Sequence, residues 1–194
     1  WDGTTMRRSG LKAPTAAPTA ADTGGAGAVN TIRYYRVRYE IRSGSTVLVR
    51  SEPSAVLSHD PTATTNVTVT KPAPINESET HWILEASTNN TSFYTFATTL
   101  VATTTVVDST ADGTGYASGT LSEDTSAYTL IGSAKYLTAD DDRVIWAGNH
   151  EDDDLASRVG WTPTFNASGV GNDERFDTGT DPFKDLDTYE SWAI

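Results

Sequence analysis

The chain contains no cysteine, so disulfide frameworks, thiolate zinc sites and cysteine nucleophiles are excluded. A small secreted module of animal origin would more often carry disulfides. Their absence leans toward a bacterial or viral chain made in a reducing cytosol. Long apolar runs are also missing: nothing approaches the 18 residues that a membrane-spanning helix needs, and no membrane partner is expected. The opening "WDGTTMRRSG" lacks the apolar core of a secretory signal. It also lacks an initiator Met, and together with the apolar ending "TYESWAI" this predicts a chain that is processed or is part of something longer.

Positive charge is scarce: 14 Lys and Arg stand against 26 Asp and Glu, for a formal net charge of −12. Phosphates would be repelled, which excludes nucleic acid as a partner. The scarcity is uneven. Residues 1–60 hold eight basic and five acidic side chains, net +3, whereas residues 61–194 hold six and twenty-one, net −15. No basic residue occurs between Lys71 and Lys135. Such asymmetry points to an assembly in which one end meets an acidic neighbour or the next copy of the same chain.

Threonine is what the chain has in abundance, 32 of 194 residues, and it favours β-branched, half-exposed strands. That length fits one large domain or two small ones, and two punctuated strand-rich blocks favour two. Residues 11–28 are Ala-rich, but Pro14 and Pro18 remove backbone donors and Gly24, Gly25 and Gly27 add backbone entropy. They read as an extended lead-in with an edge strand. In "TIRYYRVRYEIRSGSTVLVRSEPSAV", Tyr35, Val37, Tyr39 and Ile41 alternate with Arg36, Arg38, Glu40 and Arg42, the two-residue period of a half-buried strand. Ser43-Gly44-Ser45 turns it back on Thr46 to Arg50. The charged row is expected to be the solvated side of the sheet; beyond that, Arg36, Arg38 and Arg42 are the candidates for docking a protein partner.

A Pro-interrupted strand follows in 51–61. Runs at 65–70, 80–87, 93–100 and 103–109 then suggest an antiparallel sandwich. Residues 110–129 are small, polar and Gly-rich, and read as a linker. A hairpin is expected in 134–149, with a further strand in 157–165. Asp181 and Pro182 mark a helix start with Phe183, Leu186 and Trp192 as its apolar stripe.

No residue set stands out for catalysis. His59, His81 and His150 form no metalloprotease pair and lie near no nucleophile elbow, and "TGGAGA" lacks the lysine of a phosphate loop. Acidic clusters at 139–143 and 150–154 make Asp140, Asp142, Asp152 and Asp154 candidate calcium ligands, since calcium takes six to eight oxygens from flexible loops. None has the regular calcium-loop spacing, and solvated acidic loops are the simpler expectation, so no cofactor is expected apart from that calcium. Trp82, Trp146, Trp161 and Trp192, with Tyr34, Tyr94 and Tyr116, are core residues or a platform for sugar rings. Sequons at Asn66, Asn76, Asn90 and Asn166 follow from composition and matter only in a eukaryotic secretory host.

The segment "APTAAPTAADTGGAGAVNTIRYYRVRYEIRSGSTVLVRSEPS" resembles the fibronectin type III-like segments of tailed-bacteriophage virion proteins: a Pro/Ala lead, a "YYRVRY" strand and a "SEPS" strand. "VTVTKPAPINESETHWILEASTNNTSFYTFATTLVATTTVVDST" looks like the module that commonly follows. "AKYLTADDDRVIWAGNHEDDDLASRVGWTPTF" is similar to the opening of a propeller-like region, of which this chain would supply about one blade. The resemblance covers most of residues 11–165 and rests on strand and turn patterns. It implies an all-β chain: an immunoglobulin- or fibronectin-like module in 1–60, a second in 61–109, a linker in 110–129 and a propeller-like, incomplete segment in 130–194. The function it implies is structural, in the neck, tail or fibre of a virion assembled in the bacterial cytoplasm, through contacts with other virion proteins and with copies of itself. It transfers no catalytic motif, so no enzyme is expected. The alternative is a sandwich module that binds host-surface carbohydrate; a hydrolase ranks last.

Overall fold

Among the described residues the regular backbone is extended, as the β-branched and aromatic runs require. A computed structural model describes residues 10–24, 30–62, 65–123, 135–140, 143–148, 159–161 and 175–176. Among these there is no helix, and twelve strands pair antiparallel throughout. The chain divides into two units, Leu11–Thr125 and Ser126–Ile194 together with Trp1–Gly10.

The first unit holds β1 (Thr19–Asp22), β2 (Arg33–Ser43), β3 (Thr46–Arg50), β4 (Leu57–His59), β5 (Val67–Thr70), β6 (His81–Ser87), β7 (Tyr94–Leu100) and β8 (Thr105–Asp108). One sheet runs β1-β5-β8 and the other β3-β2-β6-β7, with β4 beside the start of β2. The expected boundary at residue 60 is therefore corrected. Strand β2 pairs with β6 from Tyr34↔Ser87 to Glu40↔His81, and β1 pairs with β5, so the two expected modules are one sandwich-like body. The reason is the apolar face of β2: Tyr35, Val37, Tyr39 and Ile41 are covered by Val67 and Val69 of β5 and join Trp82, Leu84 and Ala86 of β6 in one core. Neither half alone has enough apolar surface to close that face.

Two local devices shape the edge of β2. Gly44, at φ 60°, takes the first central position of the β2–β3 hairpin, as a two-residue connection of primed type requires. Pro53 then interrupts the ladder, and serine hydroxyls replace it. Ser51 Oγ accepts the Tyr39 N–H at 2.9 Å and Ser54 Oγ the Val37 N–H at 3.0 Å. The spacing of "SEPS" is thus a hydrogen-bond requirement of the neighbouring strand.

The linker expected in 110–129 is also corrected for its described part. Tyr116 is buried in the core, Leu121 bridges to Tyr94, and Thr95 N donates to Thr120 O at 2.8 Å. In the second unit β9 (Tyr136–Asp140), β10 (Arg143–Ala147), β11 (Val159–Trp161) and β12 (Arg175–Phe176) form a four-stranded meander, with Ala147 and Val159 buried together. The helix expected from Asp181 lies outside the described residues.

Candidate functional site

The charged row on β2 is the first place to look, and it is not solvated. Arg36, Arg38 and Glu40 are buried, as is Glu85 opposite Arg36 on β6. Glu85 receives Arg38 Nε at 2.8 Å on one oxygen and Arg36 Nε on the other. Glu40 receives Arg42 Nε at 2.5 Å and Arg50 Nε at 2.7 Å. Arg50 Nη1 reaches Glu123 Oε1 at 2.6 Å, and the Glu123 carbonyl accepts Arg38 Nη2 at 2.8 Å and Arg36 Nη2 at 3.2 Å. Arg36 also stacks over Phe93, 4.2 Å from its centroid. The expectation of a wet face is overturned. Charges taken from water are tolerated only when paired and hydrogen-bonded, and each guanidinium on β2 has a carboxylate within one strand spacing. As docking residues, Arg36 and Arg38 are withdrawn from the surface; Arg42 keeps partial exposure but is held by Glu40.

A second polar cluster joins the two sheets. Asp108, fully buried at the end of β8, accepts the Tyr35 hydroxyl at 2.7 Å, the Tyr116 hydroxyl, and the Thr110 N–H at 2.9 Å. Burial first, and the Asp108 charge beside it, pushes the Tyr35 hydroxyl far above the ordinary tyrosine range; burial does the same to Tyr116. Both remain protonated donors at ordinary pH, which suits fastening and not proton transfer. Tyr39 is pushed up to about 12 by burial and donates to Pro72 O at 2.7 Å. His59 Nε2 lies 2.9 Å from Asp22 Oδ1, linking β4 to β1, and His81 Nδ1 lies 2.8 Å from Thr80 Oγ1. His150 lies outside the described residues.

Of the calcium candidates, Asp140 ends β9 opposite Arg143; Asp142, Asp152 and Asp154 lie outside the described residues. Among the described residues no group of three or more acidic or histidine side chains is placed to hold a metal. Trp82 is fully buried, its Nε1 donating to Thr103 O at 2.8 Å, and Trp146 is buried as well, so neither offers a face for a sugar ring. Trp192 lies outside the described residues. The chain matches no protein-family model, no curated protein and no solved structure.

Among the described residues of the first unit, several large apolar side chains remain exposed on or beside its strands. Val47 and the bulged Leu48 are exposed on β3, Val56 just before β4, Leu100 at the end of β7 and Val107 on β8. Exposed edges of this kind accept further strands. The ion-pair network escaped sequence reasoning, although a signal existed: Glu85 is the one acid inside the apolar run "HWILEAS", and a lone acid there needs a basic neighbour across the sheet. Asp108 carried no comparable signal, because its partners lie 73 and 8 residues away.

Proposed function

We propose that this chain is a structural component of a tailed-phage virion, in the neck, tail or fibre region, acting through contacts with copies of itself and with other virion proteins. The observation that carries this reading is the disposition of the surface: the basic row is consumed internally, while apolar side chains are left on β3, β7 and β8 at the sandwich edges. Edge strands add to neighbours through main-chain hydrogen bonds, and their alternate side chains give specificity. The three- and five-stranded sheets support a fibronectin III-like relationship, and the four-stranded meander supports a blade-like one. In this reading the chain performs no catalysis.

Light scattering and electron microscopy of the purified chain test it. A multi-copy particle of fixed symmetry at micromolar concentration is the expected result. A single-copy mass at every concentration, or turnover of generic ester, peptide or glycoside substrates, would overturn it.

A further inference from the structure

The second unit is not continuous in the chain. It takes Trp1–Gly10 as well as Ser126–Ile194, so the first unit, Leu11–Thr125, stands in sequence between two parts of it. The places where the first unit takes up the chain and gives it back are both fixed, and fixed to each other. Leu11 is buried in the core and bridges in parallel to Ser51. Lys12 N donates to Glu77 Oε2 at 3.0 Å. At the other end Ser122 N donates to Phe93 O at 2.8 Å, and the Glu123 carbonyl takes Arg38 Nη2 at 2.8 Å and Arg36 Nη2 at 3.2 Å. Arg38 Nη1 donates to Ser51 O at 3.0 Å, beside Leu11. One fully buried guanidinium thus holds the neighbour of the incoming strand and the backbone of the outgoing one.

We propose that the first unit is a module inserted into the chain of the second, and that Arg38 is the clamp that closes it where its two ends meet. This goes beyond the assembly reading and is independent of it. An insertion is tolerated where the ends of the inserted body lie together, because the host chain then resumes close to where it was interrupted. Here the meeting of the ends is built. The burial of Arg38 is offset by Glu85 and by charge-assisted bonds to the two carbonyls. Those two carbonyls are a constraint that the sheet itself does not require, since the ladders from β2 to β6 and from β6 to β7 form without them. Their effect is to couple the two crossings, so that the module opens at its ends only when both let go.

Hydrogen exchange, read residue by residue, tests both parts. In a chain lacking residues 1–9, the amides of β10 should exchange about tenfold faster while those of β2 and β6 keep the parent rate. Amides of β10 at the parent rate, or β2 and β6 quickened as much as β10, overturn the insertion. Arg38→Lys in the full chain keeps the charge but cannot span both carbonyls. The Lys12 and Ser122 amides should then both exchange about tenfold faster relative to those of β6. Leu11→Ala leaves every arginine in place and should quicken Ser122 in the same way, through Ser51 and Arg38. Either amide held at its parent rate in a folded Arg38→Lys chain, or Ser122 held at its parent rate relative to β6 in the Leu11→Ala chain, overturns the clamp. Where Arg38→Lys does not fold, Leu11→Ala decides alone.

Discussion

On one face of the sheet that contains β2, Tyr35, Val37, Tyr39, Trp82 and Leu84 are withdrawn from water; on the other, Arg36, Arg38, Glu40 and Glu85 are withdrawn just as fully. The strands are the same and so is the dryness, but the rules of assembly differ. The aromatic face is held by area, and area tolerates repacking. The ionic face is held by pairing, and pairing fails as a unit because each charge left over bears its own desolvation. A face of the second kind contributes less to stability than its many hydrogen bonds suggest, while restricting what can stand next to it.

The largest expected effect comes from breaking each face once. Glu85→Ala leaves two buried guanidiniums without their shared carboxylate and should destabilise the first unit by about 3–5 kcal/mol. Trp82→Ala on the opposite face should cost a similar amount, about 3–5 kcal/mol, through lost burial and the cavity left behind. Urea unfolding followed by tryptophan fluorescence for the first variant, and by circular dichroism for both, measures the pair. A Glu85 variant within a few tenths of a kcal/mol of the parent would mean that the ionic face is open to water.

Removing the ions together sharpens the contrast. Arg36→Met, Arg38→Leu and Glu85→Leu in one chain should recover the loss of Glu85→Ala and lie between neutral and about 4 kcal/mol more stable than the parent, because the carboxylate and the two guanidiniums that share it leave together. The apolar face has no such compensating triple. If the triple variant is as unstable as the single one, shape and not charge governs the ionic face.

Period-2 alternation made one face of this sheet legible and misplaced the other. Tyr35, Val37, Tyr39 and Ile41 were assignable to the core because apolar residues at alternate positions have one economical destination. Arg36 and Arg38 follow the same alternation, and nothing in a single strand says whether its polar side meets water or Glu85 on another strand. The strand positions followed from β-branched runs and turns, and the hairpin from Ser43-Gly44-Ser45. The pairing of β2 with β6 did not, because partner choice across the Pro-rich break at 51–61 is decided by closure of a shared core. The same blindness turned 110–129 into a linker: Tyr116 was already a core candidate, but nothing in the polar stretch around it showed that it fastens its segment to the sandwich by filling the core and bonding Asp108.

The smallest expected effect lies away from both faces, where β1 meets β4. Asp22 accepts the Thr62 N–H at 2.9 Å, the Thr62 hydroxyl at 2.7 Å and His59 Nε2 at 2.9 Å. The backbone donor of Thr62, followed by the His59 hydrogen bond, lowers its carboxyl from 3.8 to about 2. A carboxyl depressed in the folded chain adds stability above its unfolded value and loses that contribution as pH falls through its folded value. The contribution of Asp22 is therefore complete above about pH 4 and fades toward pH 2. Because the site is solvated, the step is small against the loss from a buried pair. Asp22→Asn should lower the urea midpoint by a small, constant amount above pH 5 and converge on the parent toward pH 2, so that its acid limb is shallower between those two values, measured at half-unit intervals. An acid limb identical to that of the parent would show that the β1–β4 latch is already open in solution, and that the first sheet is held by its pairing with β5 alone.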